Sequence, residues 1–162
     1  MVLNKAVKGL RNPKLAYTHI KDRIINAIVN ENYFLRESLI YGPESRVEVG
    51  NNSGVPSFVN TRSGKVIIGN NVMTGYHTFL LTGTHDYRKK GADRSPAVTD
   101  ADRDRIVNDG VWIGWNCTII GPCEIGENAV ISAGSVVTDD CEAGCIYAGN
   151  PAEKVTGIDF YS

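Results

Sequence analysis

No stretch of 18 apolar residues occurs in the 162-residue chain, so no segment is fit to cross a bilayer as a helix. Strong net charge is missing too. The 17 Lys and Arg against 18 Asp and Glu leave −1, which removes any global electrostatic reason to expect a nucleic-acid partner. Residues 1–14 hold basic side chains but no apolar signal-peptide core, which predicts a chain that is not exported by that route and works in the cytoplasm. The four cysteines lack the two-residue spacing of a zinc site. Of the three histidines only His77 and His85 fall in the repetitive region, too few for a three-histidine zinc site, and no metal is expected. There is no Gly-x-Ser-x-Gly elbow to support an acyl-serine route. The length allows one domain with a real core and is short for two.

What the chain does have is a period of six. Ile113, Ile119, Ile125, Ile131 and Val137 place an aliphatic residue at every sixth position, and Cys117, Cys123, Ala129, Ser135 and Cys141 follow each at four places on. Six fits neither a 3.6-residue helix nor a lone alternating strand. It fits a solenoid of three short strands per coil, in which residue i stacks on i+18. The aliphatic then points into a triangular prism with the small residue beside it, and Gly or Asn takes the positive φ often needed at corners. On this reading the cysteines are small hydrophobic core residues, with Cys123 and Cys141 one strand spacing apart on successive coils. The role of Cys145 stays open.

Repeats begin near Val49 and Val55, break at 60–65 with Gly64 serving a turn, and resume at Ile68, Thr74 and Leu80. Residues 86–105 abandon them in a charged stretch with Gly91 and Pro96, a loop of functional length. After Glu142 the chain is expected to leave the prism, and Pro151 argues against a central strand. Residues 1–35 read as helical: Pro13 can start a helix and Leu15, Ile20, Ile24, Ala27 and Ile28 form one stripe. This basic segment either caps the open first coil or offers a surface to anionic lipid, a peripheral contact at the inner face of a membrane, or to a phosphorylated substrate. The expected organisation is a helical segment over 1–35, a β-helix over 36–155 with its excursion at 86–105, and a tail over 156–162.

Gly126 to Lys154 resembles the C-terminal half of hexapeptide-repeat acyltransferases, which fold as left-handed parallel β-helices. Gly134-Ser135-Val136-Val137-Thr138 followed by Ala148-Gly149-Asn150-Pro151-Ala152 is similar to the galactoside, maltose and polysaccharide acetyltransferase branch. Thr82-Gly83-Thr84-His85-Asp86-Tyr87 resembles the segment that carries the catalytic histidine in colanic-acid and capsule acetyltransferases. The resemblance implies a homotrimer with acetyl-CoA in a cleft between adjacent prisms. It also implies O-acetylation of a sugar in cell-surface polysaccharide synthesis. N-acetylation of an amino sugar is the alternative, and a non-catalytic scaffold a third.

Transfer from a thioester to a hydroxyl needs a base, and histidine has the fitting pKa. The resemblance assigns that role to His85, at the edge of the long loop. Asp86 is left out of the catalytic set, since a strand neighbour normally points to the opposite face. His19 reads as a surface residue and His77 as a corner residue. The resemblance places Asn60 against the acceptor or acetyl group, although such a residue also makes ordinary turns. It sets Trp112 beside the cofactor tunnel, where it is read as lining the acceptor site. Trp115 stands where the galactoside enzymes have a small residue, so its indole could narrow the pocket or stack on the pantetheine arm. For both tryptophans, packing between protomers is the other reading. Ala133 and Thr138 are implied at the pantetheine and Lys154 at the nucleotide phosphates. Asp139 and Glu153 depart from the basic residues frequent there in the family.

Overall fold

The structure, a computed structural model, describes residues 38–99 and 103–161. The helical segment expected at 1–35 lies outside the described residues. The rest is a parallel β-solenoid with three sheets. Sheet A stacks β1 (Leu39–Tyr41), β3 (Phe58–Asn60), β6 (Phe79–Leu81), β9 (Thr118–Ile119) and β12 (Val136–Val137) in that order. Sheet B stacks β2 (Val47–Val49), β4 (Val66–Ile68), β7 (Arg105–Val107) and β10 (Cys123–Ile125). Sheet C stacks β5 (Met73–Thr74), β8 (Trp112–Ile113), β11 (Val130–Ile131), β13 (Cys145–Gly149) and β14 (Ala152–Gly157). The chain visits A, B and C in turn, so each coil lays one segment on each sheet.

The period of six positions the core. Ile113, Ile119, Ile125 and Ile131 are wholly buried and Val137 nearly so, with Cys117, Ala129 and Ser135 beside them at full burial. Each aliphatic removed from water contributes about 1.5–3 kcal/mol, which the stack repeats coil after coil. Ser135 is tolerated inside because its hydroxyl donates to Ser132 O at 2.6 Å and accepts from Gly149 N–H at 3.2 Å. Two corners use the left-handed region: Asn52, Asn71, Gly110, Asn128 and Gly144 between B and C, and His77, Asn116 and Gly134 between C and A. His77 is thus an exposed corner residue, as the repeat position predicts.

The 18-residue stack holds in the middle of the array, where Trp112 pairs with Val130 and Thr118 with Val136. It fails in the last coil. There Ile125 bridges to Cys141 and Ile131 pairs with Tyr147, each 16 residues on. The corner at 138–140 is two residues shorter than the one beneath it. Cys141 therefore fills an aliphatic slot above Ile125 and does not sit opposite Cys123, contrary to the spacing argument. Cys145 takes the small slot one step before the Val130–Ile146 pair, and Tyr147 closes the end of the prism with its hydroxyl accepting Glu142 N–H at 3.0 Å. All four cysteines are free and buried. Burial pushes the Cys123 thiol up to about 11 and Cys141 up to about 12.

Nor does the chain abandon sheet C after Glu142. β13 is a full parallel strand, and β14 folds back on it antiparallel as the edge strand, with Pro151 in the turn between them. The irregular stretch at 60–65 is an enlarged corner between A and B. Gly64 is required there by close approach rather than by a turn, since a Cβ would meet the Arg103 carbonyl at 2.5 Å. The long excursion is confined to the same corner. It leaves from Leu81 and returns at Arg105 without disturbing the stack, because Val66 pairs with Arg105 and Leu80 with Ile119 across it.

Candidate active site

The corner between sheets A and B is a ladder of chain segments. Tyr41, Asn60 and Leu81 are in register on successive coils, followed by Ile120 and Thr138 in the next two. From the Leu81 rung the chain runs outward through Gly83 to His85, which pairs antiparallel with Val98 on the returning arm. Asp86 N–H donates to Ala97 O at 2.8 Å, and a single 3-10 turn at Gly91–Asp93 reverses the arm. His85 is exposed and lines an open cleft of about 650 Å³ with Thr84, Asp86, Tyr87, Thr99 and Arg103.

Asp86 does not orient the imidazole. Its carboxylate accepts Arg88 Nε at 2.8 Å and Arg88 Nη2 at 3.1 Å, bonds that hold its pKa below the usual carboxylate value. Asn60 is brought to the histidine's approach: a Cβ on Gly83 would stand 2.6 Å from both amide heteroatoms of Asn60. Only glycine lets that amide lie flat on the backbone two residues before His85. Thr138 occupies the same corner, but its hydroxyl donates to Asp139 at 2.6 Å.

Arg105 was read from the sequence as loop charge, yet it lies inside the prism at the first position of β7 with no exposed surface. One terminal nitrogen donates to the carbonyls of Arg103 (2.6 Å) and Asp104 (3.0 Å), the other to Leu81 and Ile120 (2.6 Å each). Its Nε has no protein partner. Burial brings its pKa down to about 10. Arg103 adds Nε to Thr82 O at 2.9 Å and Nη2 to Ile120 O at 3.1 Å. Two guanidiniums thus clamp both ends of the excursion that presents His85. The signal was present in the sequence: Arg105 stands two residues before Val107, an inward slot of the period.

The remaining candidates lie elsewhere on the prism. Trp112 is half exposed on sheet C, in a column with Met73, Val130 and Ile146. Trp115 is exposed at the corner between C and A, edge-on to Tyr76 at 4.8 Å. Exposed Ala133 sits one coil above it, its backbone nitrogen where a Cβ on Gly114 would be only 2.6 Å away. Lys154, opposite Tyr147 on β14, donates to Glu142 at 2.6 Å. One chain therefore groups His85, Asn60 and Thr138 at one corner, and Trp112, Trp115, Ala133 and Lys154 along another side. Among the described residues no cluster of three or more His, Cys, Asp or Glu could hold a metal ion, and no helix is long and apolar enough to cross a membrane.

A family described as bacterial transferase hexapeptide (six repeats) matches residues 106–139, the stretch that builds the regular coils. The chain is 32% identical over 102 residues to galactoside O-acetyltransferase of Lactococcus lactis, covering 59% of this chain and 46% of that protein. The maltose O-acetyltransferase structure from Clostridium difficile 630 superposes with a TM-score of 0.59 at 27% identity, over 77% of this chain and 68% of that one. A hexapeptide-repeat acetyltransferase from Vibrio cholerae in complex with acetyl-coenzyme A gives 0.61 at 25% identity, over 75% and 66%. Over residues 106–139 the chain carries the repeat of the hexapeptide transferases. It spans roughly a third to a half of the length of several curated relatives it matches.

Proposed function

We propose that the protein is an acetyl-CoA-dependent O-acetyltransferase that acetylates a sugar hydroxyl in the synthesis of a cell-surface polysaccharide in the cytoplasm, with His85 as general base. The observation that carries this reading is the placement of His85: exposed in an open cleft, on a hairpin whose base is tied to a rigid solenoid. The acceptor oxygen attacks the thioester carbon while the imidazole takes its proton. The C–S bond breaks, and the proton passes to the departing thiolate of coenzyme A. No protein nucleophile is needed, and a turn N–H supplies the oxyanion donor.

Two separated groups of candidates on one prism are reconciled by a homotrimer, in which the His85 corner of one copy faces the sheet C side of its neighbour. The apolar column Met73, Trp112, Val130 and Ile146 gives that side a reason to be covered. Exposed Ala133 beside Trp115 leaves an open shelf for a pantetheine arm, and Lys154 would meet the nucleotide phosphates.

The test is His85→Ala, assayed with acetyl-CoA against a sugar panel. A kcat lowered by about 10²–10⁴-fold with coenzyme A binding intact is expected. More than a tenth of wild-type kcat would end the proposal for His85. Light scattering that finds a stable monomer at micromolar concentration would remove the trimer. Amino sugars in the same panel decide between O- and N-acetylation.

A further inference from the structure

We propose that the acceptor carries a negatively charged group, a phosphate or a carboxylate, held by Arg62 at the foot of the His85 corner. The inference rests on the reading of that corner as the acceptor side of an acetyltransferase. Arg62 follows Asn60 by two residues, on the coil next to the one that carries Leu81 and Gly83, and Asn60 pairs with Leu81 across the two. Asn60 links the two: its Oδ1 accepts Arg62 N–H at 3.0 Å, and its amide covers Gly83.

Exposed arginines are usually mobile, and this one is held. Arg46 Nη1 donates to the carbonyls of Thr61 and Arg62 at 3.0 Å each, which fixes the backbone from beneath. The guanidinium lies 5.7 Å from the centre of the Tyr41 ring and donates to the Tyr41 hydroxyl at 3.4 Å. Stacking leaves other edges of the fork turned outward, the arrangement that suits an oxyanion. Charge points the same way. The ion pairs among the described residues join Lys65 to Glu48, Arg88 to Asp86 and Lys154 to Glu142. Arg62 belongs to none, and neither does Arg103, which lines the cleft beside His85. The carboxylate nearest the histidine in sequence, Asp86, is spent on Arg88. Among the described residues two guanidiniums without carboxylate partners therefore serve this side of the prism, Arg103 in the His85 cleft and Arg62 against half-exposed Tyr41 on the coils below it. A charge-assisted contact of this kind supplies the anchoring that a neutral sugar lacks.

The experiment titrates gluco-, galacto- and manno-sugars in three forms, neutral, uronate and 1-phosphate, into wild type, Arg62→Gln and Arg62→Lys at low salt, with calorimetric readout. Thermal unfolding confirms that the variants are folded, and acetyl transfer is measured in parallel. At least one charged form is expected to bind wild type ten times or more tighter than its neutral counterpart. Arg62→Gln should abolish that ratio, Arg62→Lys should keep part of it, and KM for acetyl-CoA should stay put. The uronate and phosphate arms tell which anion is preferred. Equal binding of charged and neutral forms, a ratio unchanged in Arg62→Gln, or an effect confined to KM for acetyl-CoA overturns the inference. Arg62-dependent discrimination without any acetyl transfer would sink the proposed function and leave this inference standing. Transfer without discrimination does the reverse.

Discussion

Arg105→Met separates what the buried guanidinium does for the loop from what it does for the fold. The charge is fully buried and all four of its hydrogen bonds go to carbonyls, with no carboxylate among them. Burial lowers its pKa to about 10. That displacement from the ordinary arginine value corresponds to a penalty of roughly 3 kcal/mol on the folded state. Because the folded value lies below the unfolded one, the penalty is constant below about pH 10 and shrinks only above it. Methionine removes it. Against this, the Leu81 carbonyl loses its 2.6 Å donor, and an orphaned buried acceptor costs about 1–3 kcal/mol. The Ile120 carbonyl keeps Arg103 at 3.1 Å, and the Arg103 and Asp104 carbonyls lie on the loop's return. Global stability should therefore change by no more than about 2 kcal/mol, the difference between a recovered desolvation cost and a lost bond. The hairpin, in contrast, loses its tether. Hydrogen exchange at Asp86, whose N–H bonds across the arms to Ala97, should speed by tenfold or more, and kcat should fall. Urea unfolding at neutral pH and exchange mass spectrometry measure the two separately. A loss of more than about 4 kcal/mol, beyond what one orphaned acceptor explains, or unchanged exchange across the hairpin would refute the reasoning.

Three further outcomes are expected. Lys154→Ala should raise KM for acetyl-CoA at low salt with kcat unmoved, whereas Glu142→Gln, which frees the lysine from its 2.6 Å partner, should lower KM; steady-state kinetics at two ionic strengths would expose an idle lysine as an unmoved KM. The Cys123 and Cys141 thiols are raised to about 11 and about 12 in the fold, so their contribution is complete below the ordinary thiol value and is lost as pH climbs towards the folded values. Stability under reducing conditions should drop by about 3 kcal/mol between pH 8 and 10, and a Cys123→Ala, Cys141→Ala double variant that keeps the drop would contradict this. Ile131→Ala, at a wholly buried position, should cost about 2–5 kcal/mol in denaturant unfolding, and a smaller loss would mean that the prism can collapse around the gap.

The regular coils were legible because one residue type per six positions carries the burial, and five consecutive aliphatics all point inward. The last coil was not. A cysteine fits either slot, so Cys141 satisfied the period while a corner two residues shorter moved it from the small slot to the large one. The chain read as leaving the prism after Glu142, yet Tyr147 stays in the core because its hydroxyl finds a partner, Glu142 N–H, that exists only once the chain has turned. Arg105 was hidden by its own charge. Composition assigned it to the loop, while position assigned it to the interior, and four backbone carbonyls settled the conflict in favour of position. Of the candidate site, the sequence located His85 beside the only long excursion among the described repeats. It gave no hint that Asn60 lies on Gly83 or that Lys154 and Thr138 are already engaged by neighbouring carboxylates, since those contacts join positions that no local spacing connects.

A stack of parallel strands has no natural end: every coil presents the next with a row of donors and acceptors, and a second molecule could add itself indefinitely. The reversed strand β14 breaks that invitation on sheet C. It faces outward with opposite polarity and carries Glu153 and Lys154 on an exposed edge, so a parallel newcomer would meet the wrong hydrogen-bond pattern and two charges. The hairpin at Pro151 thus acts as a terminator for parallel strand addition on that sheet.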